Sequence, residues 1–407
     1  MKLFDNPLVR KMSSDFVLGF LATALVTAVM QILLYPLINR MIGNVAYGDF
    51  LTVIGLVNTV QAVIGSTLNN IRLIHENDYE KKKISGDFNL ILMVLSGVSL
   101  IASFILFPIF FDMSYLQAFF VGVLIALMAM RNYWAVAYRI IINYRHIFLA
   151  DACLVMGYLV GCVVFLFSHN WLFPLILGEI FCLIYIYVTT DIIKEPYKFT
   201  ELRGMVFKDF GMLSITTLSA NVLVYLDRLL LYPIIGGEAV TIYTVASLGG
   251  KYFGMVATPM AGVLLSYYSQ KDFNMTRKKF WYISIAIMVA SFMSLIVITP
   301  LAPIIARILY PGSYEEALEF MFLANIAGIL AVISNFIQPA LLKFAATKWQ
   351  IVKEVIYGGI YIGFGIPLLN AYGLTGFCVA NIVANAVRTI FMLVVGHVSC
   401  RGKTRTD

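Results

Sequence analysis

Long apolar runs separated by short polar breaks make up nearly the whole chain. A helix that crosses a bilayer needs about 20 mostly apolar residues. Twelve segments qualify: 15–38, 49–71, 88–111, 115–140, 147–168, 171–190, 210–234, 239–266, 280–308, 317–342, 351–369 and 374–397. The fourth, eighth, ninth and tenth are longer than a bilayer requires, which predicts tilt or projection beyond it. Amphipathic periodicity is weak, because lipid selects helices that are apolar all round. The most polar long stretch, DIIKEPYKFTELRGMVFKD at 191–209, bisects the series and leaves six spans on either side. The expected architecture is an all-α integral membrane protein with twelve transmembrane helices. One six-helix lobe covers 1–190, a cytoplasmic linker 191–209 and a second six-helix lobe 210–407.

Composition sharpens this picture. The 407 residues are 61% hydrophobic and 13% charged, with a mean hydropathy of +0.88. Soluble proteins are about 45–50% apolar and about 25% charged. Soluble enzymes, DNA-binding proteins and disordered scaffolds are thereby excluded. The net charge of +7 reads as topology and not as a nucleic-acid footprint, since Lys and Arg collect on the cytoplasmic side of membrane proteins. With the N-terminus inside, the cytoplasmic segments hold Lys2, Arg10, Lys11, Arg72, Lys81 to Lys83, Arg139, Arg145, Lys194, Lys198, Arg203 and Lys208. Further along they hold Lys271, Arg277 to Lys279, Lys343, Lys348, Lys353, Arg401, Lys403 and Arg405. Only Arg40 falls in an outer loop, so both termini are expected in the cytosol. The first apolar run lacks a small-residue cleavage site and is long enough to span, so it is read as a retained helix. Cys153, Cys162, Cys182, Cys378 and Cys400 show no paired spacing, which argues against a disulfide framework or a zinc site.

The two halves share a pattern. Leu33-Leu34-Tyr35-Pro36-Leu37-Ile38 ends the first span and Leu230-Leu231-Tyr232-Pro233-Ile234-Ile235 ends the seventh. Each precedes a Gly-containing outer turn and follows a similar entry, Asp15-Phe16 and Asp209-Phe210. Six spans per half is an even number, so the repeat is parallel, as in one class of secondary transporters. At this point a family resemblance becomes specific. LLYPLINRMIGNVAYGDF resembles the opening signature of Wzx-type polysaccharide flippases, within the multidrug/oligosaccharidyl-lipid/polysaccharide (MOP) exporter superfamily. NVLVYLDRLLLYPIIGGEAVTIYTVAS resembles the stretch that opens their second half, and ARILYPGSYEEALEFMFLANIAGI the turn between spans nine and ten.

The resemblance implies two six-helix bundles around a central cavity lined by spans one, two, seven and eight. It implies movement of isoprenoid (undecaprenyl) pyrophosphate-linked oligosaccharides across a bacterial cytoplasmic membrane, for O-antigen, capsule or other surface polysaccharide. The partners it implies are that lipid-linked substrate, membrane lipids, a polysaccharide polymerase and glycosyltransferases. A monomer is expected and no nucleic-acid partner. Relatives carry Arg in the first span; here Gln31 stands where the repeat places Arg228 in the second half.

Charges within the hydrocarbon cost about 2.5–3.5 kcal/mol each on insertion scales, so each needs a reason. Lys251 lies deep in span eight beside Gly249, Gly250 and Gly254, a smooth face for a substrate or another helix. It is read as a contact for pyrophosphate or an acidic sugar; the alternative is a structural partner for an acidic residue of span six or seven. Asp227 and Arg228 are adjacent and point about 100° apart on a helix. Arg228 suits phosphate through its bidentate fork, while Asp227 either holds that Arg, titrates for ion coupling, or locks the halves in an ion pair. Arg131 in span four reads either as a snorkelling side chain or as a substrate contact. Arg388, beside Asn381 and Asn385, reads as interhelical glue or as part of the site.

Glu179 pairs with Arg388 or Arg131, or titrates. Asp151 and Glu354 are assigned to the first turns of spans five and eleven, where a carboxylate complements the helix dipole. Asn58, Gln61, Ser66, Thr67, Asn69 and Asn70 give span two a wet face. No cofactor is expected beyond a coupling H+ or Na+, since there is no GxxxxGK[ST] loop, no His constellation for a metal and no paired deep carboxylates. An enzyme is therefore not expected. The alternatives are a drug/cation antiporter of the same superfamily, which would want an acidic cavity, and a membrane glycan polymerase or ligase, which would want a large outer loop.

Overall fold

The structure, a computed structural model, describes residues 7–268, 274–346 and 348–400, without the side chains of 7–16, 256, 258, 259 and 266. Lys2, Lys271, Arg401, Lys403, Arg405 and the side chains of Arg10 and Lys11 therefore lie outside the described residues. Every regular element among the described residues is a helix.

Helix α1 (Pro7–Ala28) runs through a π-helical stretch, Val29–Leu34, into α2 (Tyr35–Ile42), and α3 (Asn44–Gln61) through a second π stretch, Ala62–Ser66, into α4 (Thr67–Lys82). Then come α5 (Phe88–Phe111), α6 (Tyr115–Trp134), the short α7 (Val136–Ile140), α8 (Tyr144–Ser168), α9 (Leu172–Thr189) and α10 (Arg203–Val224). The remainder is α11 (Leu226–Ile235), α12 (Gly237–Ala246), α13 (Leu248–Tyr268), α14 (Arg277–Leu309), α15 (Tyr314–Phe344) and α16 (Lys348–Ser399). Among the described residues nine helices are long and apolar enough to cross a membrane, or ten if the bent pair α10 and α11 is one span. One of the nine, α16, is two helices joined at Gly373, whose φ of +58° and ψ of −143° interrupt the helix where the eleventh and twelfth predicted spans meet. The chain is a multi-pass membrane protein.

Several predicted spans differ in shape from the elements that form. The second runs on to Lys82, well past residue 71. The seventh bends by 59° after Val224. The eighth is not one long helix but α12 and α13, interrupted at Ser247. The repeat has a structural counterpart at its turns. Gly43 and Gly236, each directly before a new helix, adopt left-handed φ values of +82° and +87°, conformations that favour glycine. The alignment that matches Gln31 to Arg228 also matches Val29, where the π stretch begins, to Leu226, where α11 begins after the bend.

The chain packs as two compact units, residues 1–42 with 49–226, and 43–48 with 227–407. The boundary falls after α10, whereas the polar stretch that divides the sequence lies before it. Polarity marks where the chain leaves the apolar phase; packing marks where contacts thin. Within the first unit α10 is held by Thr67 Oγ1 donating to Thr217 Oγ1 at 3.2 Å and by His75 Nε2 lying 2.7 Å from Asp209 Oδ2.

Close helix crossings use small residues, as expected where lipid removes the hydrophobic drive between helices. A Cβ on Gly157 of α8 would lie 2.6 Å from the Gly178 Cα of α9, and one on Gly250 of α13 would lie 2.9 Å from the Gly328 Cα of α15. The linker over 191–209 is tied to the ends of α4 and α5. Asp87 N–H donates to Lys198 O at 2.8 Å, Asn89 Nδ2 donates to Ile192 O at 2.9 Å, and Arg72 Nη2 meets Glu195 Oε1 at 2.9 Å. Burial raises the Glu195 carboxyl above its ordinary pKa, and the Arg72 guanidinium opposes that shift.

Candidate functional site

In the first unit, α1, its π stretch, α3, α6, α8 and α9 enclose a cavity of about 350 Å³. Arg131 near the end of α6 and Glu179 on α9 both line it, with Arg131 Nε 2.6 Å from Glu179 Oε2. Glu179 is 1% exposed and Arg131 18%. Of the two pairings expected for Glu179, the structure shows the one with Arg131. It also corrects the snorkelling reading of Arg131, whose charge turns inward to a buried carboxylate. Asp151 shares the cavity. Because α8 begins at Tyr144, Asp151 sits two turns inside the helix and not in its first turn, so the dipole account of this residue does not hold.

Around these charges stand Thr23, Thr27, Gln31, Tyr35, Asn58, Gln61, Asn132 and Tyr158. Asn132 Nδ2 donates to Gln61 Oε1 and, at 2.9 Å, to Met128 O. Of the polar face expected on span two, Asn58 and Gln61 face the cavity. Asn69 instead donates to Asn132 O at 2.6 Å, and Thr67 turns to Thr217. The first π stretch carries Gln31 and the second follows Gln61 directly. Irregular backbone at membrane depth is tolerated where it lines a cavity.

In the second unit Lys251 lies in the first turn of α13, with Nζ 3.7 Å from Asp227 Oδ2 and 5.8 Å from the Tyr243 ring centroid. Its Nζ is buried and makes no hydrogen bond among the described residues. Asp227 opens α11 after the bend, and its Oδ1 accepts from the Arg228 N–H at 2.8 Å. The bend thus places the carboxylate at a helix N-terminus, where its charge is favoured. The alternative in which Lys251 has a structural partner in span seven describes this geometry, while this hydrogen bond of Asp227 to Arg228 goes to its backbone and not to its guanidinium. Gly249 and Gly250 abut α14 and α15, since Cβ atoms there would lie 2.5 Å from Ile298 Cγ2 and 2.9 Å from Gly328 Cα. That face meets other helices.

A third group joins α15 and the two parts of α16. Glu354 Oε1 lies 2.8 Å from Lys353 Nζ and 3.9 Å from Arg388 Nη2, and Lys353 Nζ donates to Gln338 Oε1 at 2.7 Å. Arg388 also covers the Tyr357 ring at 5.0 Å. Because α16 begins at Lys348, Glu354 lies beyond its first turn and the dipole account of this residue does not hold either; Lys353, counted from the sequence as a cytoplasmic marker, is 2% exposed. Asn381 and Asn385 bond one another and Tyr243, so the polar stripe beside Arg388 is interhelical.

Of the sequence-selected residues the structure brings together Arg131, Glu179 and Gln31 in one unit, and Lys251, Asp227 and Arg228 in the other. Arg388 stands with a separate cluster. Sequence reasoning missed Asn132, Tyr158 and Asp151 as cavity residues. Asn132 had a signal, an amide adjoining an intramembrane Arg; Tyr158 had none.

No family model matches the chain, and no curated protein matches it by sequence. Solved structures do match by fold. An inward-facing multidrug resistance MATE family transporter of the MOP superfamily aligns with a TM-score of 0.66 at 12% identity, covering 95% of this chain and 100% of that one. The lipid II flippase MurJ, in an inward closed conformation, aligns with a TM-score of 0.64 at 13% identity, covering 95% and 86%. The Vibrio cholerae MATE transporter VcmN in its bent form aligns with a TM-score of 0.57 at 14% identity, covering 96% and 99%. At these identities the likeness establishes the fold: this all-helical membrane chain has the architecture of MOP-superfamily transporters.

Proposed function

We propose that the chain is an alternating-access flippase that moves isoprenoid-pyrophosphate-linked oligosaccharide units across a bacterial cytoplasmic membrane, with both termini in the cytosol. The observation that carries this reading is the Lys251, Asp227 and Arg228 group. The Lys251 Nζ is buried 3.7 Å from Asp227 without a hydrogen bond, and Arg228 follows Asp227 directly on α11. A pyrophosphate is an acceptor with no donors, and such a cation gains from meeting it. The sharing of a fold with a protein described as a lipid II flippase supports the same reading by analogy. Asp227 and Glu179 are the residues through which H+ or Na+ would couple. The membrane potential is a further source, at about 2.3 kcal/mol per charge per 100 mV. The reading places a polysaccharide polymerase and glycosyltransferases as functional neighbours and the chain itself as a monomer.

The test uses a bacterial host that depends on this gene for surface polysaccharide. Lys251→Ala and Arg228→Ala are each expected to cut polymer output about tenfold or more at normal protein level, the worth of a charge-assisted hydrogen bond at about 1.5–3 kcal/mol. Wild-type polymer from both variants removes these residues from the mechanism. One observation favours a second reading, a cation antiporter: Arg131, Glu179 and Asp151 leave the cavity of the first unit with an excess of one negative charge. Efflux of tetraphenylphosphonium that Glu179→Gln abolishes would support that reading over the flippase.

A further inference from the structure

We propose that the cavity of the first unit is a subsite for one neutral sugar residue of the transported glycan. The inference rests on the flippase reading and specifies which part of the substrate this pocket takes. Its volume of about 350 Å³ lies at the small end of ligand sites, about 300–1,000 Å³, and has room for a sugar residue.

The unspent hydrogen-bonding groups decide the ligand class. Among the described residues the side chains of Thr27, Asn58 and Tyr158 make no hydrogen bond, and the Asp151 carboxylate makes neither a hydrogen bond nor a close ion pair. Gln61 and Asn132 spend one amide end on each other, leaving the Gln61 Nε2 donors and the Asn132 Oδ1 acceptor unused. Arg131 commits only its Nε to Glu179, so its two terminal nitrogens remain as donors. Unused donors and unused acceptors therefore both line the cavity. A phosphate accepts only, and would face Asp151 and Glu179 with its own negative charge. An organic cation donates or does neither, and would leave the Arg131 donors unpaired and repelled. A hydroxyl both donates and accepts, so a polyhydroxylated neutral ring satisfies both sets together.

Asn58 stands as far beyond the turn glycine Gly43 as Lys251 stands beyond Gly236. Matched places in the repeat thus carry a neutral amide in one unit and a cation in the other, suited to sugar and to pyrophosphate respectively.

The test uses the full chain purified into lipid nanodiscs, with saturation-transfer NMR on methyl glycosides of glucose, galactose, rhamnose and N-acetylglucosamine. At least one is expected to bind at millimolar concentration, to be unaffected by added inorganic pyrophosphate, and to weaken tenfold or more in Asn58→Leu and Thr27→Val. Neither side chain bonds elsewhere in the described structure, and an unchanged thermal midpoint confirms that both variants fold. Absence of binding by all four glycosides overturns the subsite, as does displacement by pyrophosphate, or tetraphenylphosphonium binding that the same substitutions abolish. Accumulation of the free sugar in proteoliposomes would identify a free saccharide as the occupant and overturn the lipid-linked assignment. Flipping of lipid-linked substrate is read separately: sugar binding without flipping leaves the subsite and removes the flippase reading, and flipping without sugar binding does the reverse.

Discussion

Arg131 and Glu179 show what a charge inside a membrane protein needs. Neither is tolerable alone at that depth, and each makes the other acceptable at 2.6 Å. Removing one partner leaves an uncompensated buried charge, a loss of about 3–5 kcal/mol, while replacing both with apolar side chains is often neutral or stabilising. Arg131→Met is therefore expected to lower the thermal midpoint of the purified protein sharply, and Arg131→Met with Glu179→Leu to restore most of it. A double variant no more stable than the single would show that the pair is not coupled in this way. The same reasoning applies to Lys353, whose burial the sequence disguised. Its place near a cluster of cytoplasmic Lys residues suggested solvent, yet Glu354 and Gln338 hold it inside. Linear position reports depth along the membrane normal and not the direction in which a side chain turns.

Among the elements, α8 and α9 cross closely because Gly157 faces Gly178 and Gly161 faces Pro174. A side chain at Gly157 would meet backbone atoms, which have nowhere to move. Gly157→Val is expected to cost about 1–3 kcal/mol by overpacking and to reduce folded yield, read by fluorescence-detected size-exclusion chromatography. Gly97→Ala, with nothing within 4 Å of the added Cβ, is expected to leave yield unchanged, and equal losses from both would refute the close-approach account. The elements also mark the limit of hydropathy. The third predicted span, 88–111, coincides with α5, and the fourth, 115–140, with α6 and α7, because lipid thickness dictates apolar length. The bend before α11, the interruption at Ser247 and the two π stretches leave no trace in hydropathy. They depend on which backbone groups find partners after packing.

For the whole molecule, orientation follows from the distribution of basic residues and is directly measurable. In a cysteine-free background, Lys194→Cys, at an exposed linker position, is expected to react with a membrane-impermeant maleimide only after the cytoplasmic side is opened. Ser168→Cys, exposed at the end of α8, is expected to react in intact cells. Reversed labelling would invert the topology. The packing of the linker onto α4 and α5 also bears on how the chain moves. With its backbone bonded to Asp87 and Asn89, the linker is part of the first unit's framework and not a slack tether.

The low charge content, the apolar runs and the lopsided placement of Lys and Arg determined by themselves that this is an all-helical membrane chain, where its helices fall, and which few charges need explaining. Those features answer to the solvent, and the solvent acts on each segment independently. Only the tertiary structure decided which charge meets which: Arg131 with Glu179, Lys251 with Asp227, and Arg388 with Glu354. It alone assembled a cavity from amides spread over α3 and α6. Those pairings join residues tens of positions apart on helices whose rotation about their axes is set by packing, and an apolar surface on every side carries no record of that rotation.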